Sequence, residues 1–434
     1  MSIPELAIFV QSLLGPRAGE LAIATGFVQR ASKVDGGVFA RTLVFGWLSK
    51  PGASLQDLAQ TAAATGVAVT PQGLDERFGP VAAKFLQAVL EEAVAHAVRA
   101  QPVVHPLLGR FAGVFVQDST IIPLPDSLEG VWMGCGNASG PTAALKLHVQ
   151  LDLNTGALNG PHLAPGREHD RHSPAQKAAL PRGALRIADL GFYDLRTLAD
   201  YDAQGVYFLT RVLNNALVYD EKGGRIELEQ LLARCPTDEI DVPMKLGNTV
   251  RVPVRIVARR VPPEVRRQRL QRLKDTARKK QQPMSPRTKF MAGWNIYATN
   301  VPAEMLSANE GHALMRIRWQ IELLFKLWKN EGRLDESRSR NRWRVLCEIY
   351  AKLIGLLIQH WILLTCCWRI PDRSLTKAAS TLRPFAATIV SRFHSLPDIC
   401  DILQLLNRIL PDGCRLNRRA QPNSYQLLLP GALA

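Results

Sequence analysis

Acidic residues are scarce in this 434-residue chain: 38 Asp and Glu stand against 54 Lys and Arg, a formal charge of +16. The seven cysteines form no C-x-x-C pair and are odd in number, which fits neither a disulfide framework nor a zinc ribbon. No basic, then apolar, start marks a signal peptide, because MSIPELAIFVQSLL carries Glu5 and no early Lys or Arg. The most apolar run, LIGLLIQHWILLTCCW, is 16 residues long with Gln359 and His360 inside it. That is short of the roughly 20 needed to cross a bilayer, so it reads as a core helix of a cytoplasmic protein. Internal repeats and low-complexity segments are lacking too.

What is present is segregated positive charge. Residues 255–289 hold 13 basic and 2 acidic side chains, and residues 316–344 hold 9 and 4, so these two stretches carry the whole net charge. Cations gathered in this way suit a polyanion, with a solvated basic face as the plainer alternative. The length allows two or three domains with a sizeable core.

Periodicity divides the chain. Residues 1–105 read as short helices, with a helix-turn-helix cue in SLQDLAQTAAATGVAVTPQGLDERF that any helical hairpin would share. From residue 106 to 215 strand patterns follow: GVFVQDST, then LKLHVQLDLNTGAL as a hairpin, then LRIADLGFY, a helix over 194–204, and VYFLTRVL. Residues 216–300 read as a β-rich basic insertion, 301–370 as a return to the first domain, and 371–434 as a helical end. A hairpin followed by strand–helix–strand implies a mixed α/β sheet.

Three carboxylates occupy telling places. Asp118 ends GVFVQDST and Asp189 ends LRIAD, and strand ends of an α/β sheet face the crevice where ligands bind. Glu322 lies in RWQIELLFKLWK, where helical spacing puts Arg318, Glu322, Lys326 and Lys329 on one stripe of an otherwise apolar helix. Converging carboxylates require cations, and an oxygen-only set suits Mg²⁺ or Mn²⁺. Singly, each acid could equally cap a turn or form an i, i+4 ion pair. A rival cluster, His148, His162, His169, Asp170 and His172, matches no zinc spacing.

Arg318, Glu322 and Lys329 have the spacing Arg-x3-Glu-x6-Lys, and this segment resembles the glutamate helix of bacterial insertion-sequence transposases of the DDE superfamily, insertion-sequence-four group. The likeness extends to VQDSTIIPLP, to IADLGFYDLRTLADYDAQGVYFLTRV and to WNIYATNVP, while Met315 stands where the family has tyrosine. The resemblance implies a ribonuclease-H-like core with a mostly β insertion and helical flanks. It implies a metal triad of Asp118, Asp189 and Glu322 binding two Mg²⁺ ions, with Mn²⁺ as substitute. It further implies phosphate contacts from Arg318 and Lys329, whose plainer role is to balance Glu322, and Trp294 as the tryptophan that stacks on a flipped base, with a core residue as the equal alternative. Arg211, in FLTRV, is either a further phosphate contact or the end of a strand. The expected partners are double-stranded DNA (terminal inverted repeats and target) and a second copy of the chain on paired ends, at the bacterial nucleoid. A silent, transposase-derived repressor and a nuclease that never joins strands are the alternatives.

Overall fold

The computed structural model describes residues 1–103, 105–136, 140–370, 372–415 and 424–428. The chain forms two compact units: Met1–Val103 with Ser119–Glu168 and Gln320–Tyr425, and Val104–Asp118 with His169–Trp319 and Gln426–Ala434. The sequence expectations for 416–423 and 429–434 lie outside the described residues.

The first unit is built on one helix, Arg342–Cys367, against which Gly36–Ser49, Pro80–Ala95 and Leu396–Gly413 pack. At 26 residues it contains the 16-residue apolar run and extends beyond it, and length and hydropathy alone would let it cross a membrane. Yet 94% of its apolar stretch is buried in protein, so it is a core helix. A second stretch of that kind among the described residues, Ile3–Ala24, is broken at Gly15–Pro16. A buried ion pair on the long helix, Lys352 to Glu348 at 2.8 Å, also binds the chain after the glutamate helix, with the Lys352 ammonium donating to the carbonyls of Arg333 and Glu336. The sheet part of this unit has the order β3-β2-β1, with β1 Val114–Leu124 entering it at Ser119, β2 Ala143–Asp152 and β3 Leu158–Pro165. β2 and β3 are the expected hairpin. Its turn needs Gly156, at φ +71°, because a Cβ there would collide with Leu364 and Trp368. The Gly156 carbonyl is 2.8 Å from Nε2 of His360.

Between the helices Leu55–Ala64 and Pro80–Ala95 only one short helix forms, Pro71–Asp75. Five residues are too few for the recognition helix that the helix-turn-helix cue would need.

The second unit carries the order β1-β4-β5-β10-β9-β8-β6-β7. β1, β4 Leu185–Ala188 and β5 Tyr207–Arg211 are parallel; β10 Trp294–Thr299, β9 Val252–Arg260, β8 Glu239–Leu246, β6 Val218–Tyr219 and β7 Arg225–Ile226 continue antiparallel. The fold is therefore mixed α/β of the ribonuclease-H-like type, with helical flanks. The insertion is less purely β than its sequence implied, because the basic run forms a 17-residue helix, Pro263–Lys279, with no buried residue. One apolar core runs from Leu198 and Phe208 through Val254 and Ile256 to Trp294 and Ile296, so insertion and parallel strands pack as a body.

Two histidines make this fold acid-sensitive. Burial pushes His312 and His360 down to about 4, so both are neutral at pH 7. With folded values below the unfolded value of about 6.5, the unfolded chain binds more protons between those limits. Stability from these groups is complete above pH 6.5 and is lost as pH falls towards 4, at up to about 1.4 kcal/mol per pH unit for each. Melting curves from pH 7.5 to 4.5 should show this fall, and His312→Phe should flatten it; a midpoint independent of pH contradicts the assignment.

Candidate active site

Strand register brings the first two acids together. Gln117 on β1 pairs with Ala188 on β4, and Ala188 pairs with Thr210 on β5. One residue further on, the same registers align Asp118, Asp189 and Arg211 across three neighbouring strands. Parallel neighbours lie about 4.8 Å apart and side chains alternate between faces, so the three share one face. The antiparallel pairing Tyr297 to Arg211 adds β10 to the row. β1 does not end at Asp118, as the sequence suggested, but continues to Leu124. Only its pairing with β4 stops there.

Arg318 closes the row. Its guanidinium donates to Asp118 Oδ2 at 3.0 Å and lies 3.6 Å from Asp189 Oδ2, with the side chain 10% exposed. Arg211 Nε stands 3.4 Å from Asp189 Oδ1. The helix that delivers Arg318, Ala308–Ile317, is held at its start by a capping box of Ser307 and Glu310 and by a bidentate Arg110–Glu310 pair. Arg318 itself is the C-cap, so the chain turns there before Trp319–Lys326 begins.

That second helix carries Glu322 in its first turn, half-buried, with Ile321, Leu324 and Phe325 buried around it. The helix is largely buried with Glu322 and Lys326 on its charged side, but it spans only Trp319–Lys326, so Arg318 and Lys329, which the spacing places on the same helix, lie outside it. The turn that follows, Leu327–Glu331, is a π-helix, a distortion that recurs at functional sites. Lys329 lies on it and donates to the Ile121 carbonyl of β1 at 2.8 Å. Met315, in the place of the family tyrosine, is buried. Tyr297 is a phenol that the sequence does not single out: burial pushes its hydroxyl up, and Arg211 and Arg269 pull it back.

The donor chemistry suits a hard divalent ion in part. Two carboxylates, which are hard oxygen donors, converge on the guanidinium of Arg318, itself a cation. Among the described residues no three His, Cys, Asp or Glu side chains gather closely enough to cage an ion. Of the rival histidine cluster, His162 lies 2.8 Å from Asn159 Oδ1, and His148 and His162 are register partners inside the hairpin.

Two expectations need correction. Trp294 is 4% exposed in the apolar core of the second unit, with the Arg260 guanidinium 4.6 Å over its ring and Arg269 donating to its carbonyl. A ring so enclosed offers no face to a flipped base, so we assign it to packing. Trp294→Ala should cost about 3–5 kcal/mol of stability, read as a denaturation midpoint; an undiminished midpoint would put the ring outside the core. The basic stretch 255–289 is also divided in use. Arg255, Arg259 and Arg260 pair across the β8–β9 ladder with Asp241, Glu239 and Asp238, and Arg287 pairs with Glu227. The cations left on the surface are chiefly those of the helix Pro263–Lys279.

The sequence profile of the transposase DDE domain matches residues 109–358, more than half of the chain and the whole span that holds Asp118, Asp189 and Glu322. The chain belongs to the DDE transposase family. It is 28% identical over 362 residues to a transposase for insertion sequence element IS231F of Bacillus thuringiensis subsp. israelensis, covering 78% of this chain and 75% of that protein. It is 29% identical to the transposase for IS231E of B. thuringiensis subsp. finitimus, over 82% of this chain and 79% of the relative. With the transposase for IS1151 of Clostridium perfringens it shares 24% identity, over 68% of this chain and 66% of the relative. In this transposase the match begins before β1 and ends inside the long core helix.

Proposed function

We propose that this transposase binds the ends of its own insertion sequence, cleaves them and joins the freed 3′-OH to target DNA by a cut-and-paste route. The observation that carries the reading is the row Asp118–Asp189 closed by Arg318, four residues ahead of Glu322 in a family-matched segment. Asp118, Asp189 and Glu322 are the residues that would hold two Mg²⁺ ions, or Mn²⁺ in their place. Bound there, such ions supply an activated attacking oxygen and a stabilised leaving oxygen in phosphodiester displacement.

The remaining work falls to the chain's own cations. Arg318 and Arg211 lie beside the two aspartates, where a guanidinium can hold a scissile-strand phosphate in a forked geometry. Lys329, on the π-turn, is a point charge for the same strand. The exposed helix Pro263–Lys279 grips the backbone further out without reading sequence. The protein works in the bacterial cytoplasm at the nucleoid, as a homodimer on paired ends.

The test is incubation of the purified protein with Mg²⁺, a duplex carrying the element's own ends, and a plasmid target. Joined end–target products are expected. Nicked ends without joining would leave a nuclease, and bound but intact ends a silent repressor.

A further inference from the structure

Behind the acid row lies a charge the proposed chemistry does not use. Arg186, on β4 three residues before Asp189, is 1% exposed, and among the described residues no carboxylate pairs with it. Burying a guanidinium without a counter-charge opposes folding, and burial lowers its proton affinity. An apolar side chain would fill the space at less cost, so the charge calls for a role.

Its partners supply one. Nε donates to Gln117 Oε1 at 3.2 Å, and NH2 donates to Gln176 Oε1 at 2.8 Å. Gln117 is the residue before Asp118. Gln176 in turn donates to the Phe192 carbonyl at 3.3 Å and accepts from the Tyr201 hydroxyl through its own main-chain carbonyl at 2.8 Å. Phe192 ends the single turn Leu190–Phe192 that Asp189 caps, with Leu190 N–H donating to Asp189 Oδ1 at 2.8 Å. The rings of Tyr201 and Phe192 flank the guanidinium at 5.4 and 6.0 Å. By strand alternation Arg186 and Gln117 point to one face of the sheet and Asp118 and Asp189 to the other. A single buried fork thus spans β1 and the turn after β4, tying together the backbone beneath both acids.

We infer that Arg186 is a positioning residue for the aspartate pair: through Gln117 and Gln176 it fixes the β1–β4 spacing at Asp118 and Asp189. This rests on the reading of Asp118 and Asp189 as the acids of end cleavage. Groups that orient metal-binding side chains in this way are worth about 10–100-fold in affinity or rate.

The experiment compares wild type, Arg186→Met, Gln117→Leu, the double variant, Leu198→Ala as a core control, and Asp118→Asn. All are full-length and assayed where circular dichroism shows them folded. Arg186→Met should lower the saturating rate of end cleavage and the Mn²⁺ affinity by calorimetry about 10–100-fold each, with end-binding Kd unchanged. The double variant should be no worse than Arg186→Met, because both act through one hydrogen bond. Leu198→Ala should melt earlier yet keep its rate and Mn²⁺ affinity. Should Arg186→Met fail to fold, Arg186→Lys keeps the charge without the fork, and its rate and Mn²⁺ affinity should fall. Wild-type rate and Mn²⁺ affinity in the Arg186 variants, beside an inactive Asp118→Asn, would overturn this inference alone. An active Asp118→Asn with unaltered Mn²⁺ affinity would overturn the functional reading, and this inference with it.

Discussion

Asp118→Asn and Asp189→Asn are each expected to abolish end cleavage, by on the order of 10⁴-fold or more, while end binding changes little. The amide keeps the shape of the carboxylate but not its charge, so it cannot contribute as a hard-cation ligand. Both side chains are partly exposed, at 21% and 34%, and both meet Arg318, so some stability should be lost with the ion pairs. The two effects separate by assay: gel shift on the element's ends reports binding, and denaturing electrophoresis of the labelled strand reports cleavage. Either variant cleaving at the wild-type rate would remove that residue from the chemistry.

Neutralising the exposed basic helix should have the next largest effect, this time on affinity. Arg272, Lys274, Arg278 and Lys279 are all exposed on the helix Pro263–Lys279. Replacing the four by Gln should weaken duplex binding on the order of 10²–10³-fold near 0.1 M salt. The slope of log K against log salt should fall by about 0.9 for each phosphate no longer neutralised. The weakening should be similar for element ends and unrelated duplex, because cations that meet only the backbone carry no sequence information. The Arg255–Asp241 and Arg259–Glu239 pairs make a contrast. Substituting those arginines should show mainly as lower stability. An unchanged salt slope in the four-fold variant would move the DNA path elsewhere on the protein.

Much of this arrangement is legible in the sequence, for a physical reason. A carboxylate within or just after an apolar strand pattern, and one in an apolar helix, stand out because burial makes them costly; Asp118, Asp189 and Glu322 are visible on those grounds. Local periodicity likewise anticipates the β2–β3 hairpin, the helix after Asp189 and the long core helix. What stays hidden depends on pairing between distant segments. Arg186 reads as an ordinary alternating polar residue in LRIAD, and only the β1–β4 register reveals that it is buried against Gln117. The stacking role of Trp294 comes from the resemblance alone, whereas the packing of β10 against β9 and the apolar core of the second unit encloses the ring. The π-turn carrying Lys329 leaves no trace in spacing, since one extra residue per turn shifts the stripe without changing its composition. The division of the basic stretch into ladder pairs and an exposed helix also needs the β8–β9 register.

Glu322 is the acid that arrives on a helix rather than a strand, and it decides whether the aspartate pair belongs to a three-acid site. The most direct measurement is therefore cleavage and joining of the element's own ends in Mg²⁺ by wild type and Glu322→Gln side by side, with end binding followed in the same samples. Cleaved and joined ends with wild type, and intact but bound ends with the variant, are the predicted result. Cleavage by both would contradict the three-acid account and return Glu322 to its place as an ion-pair partner on the helix.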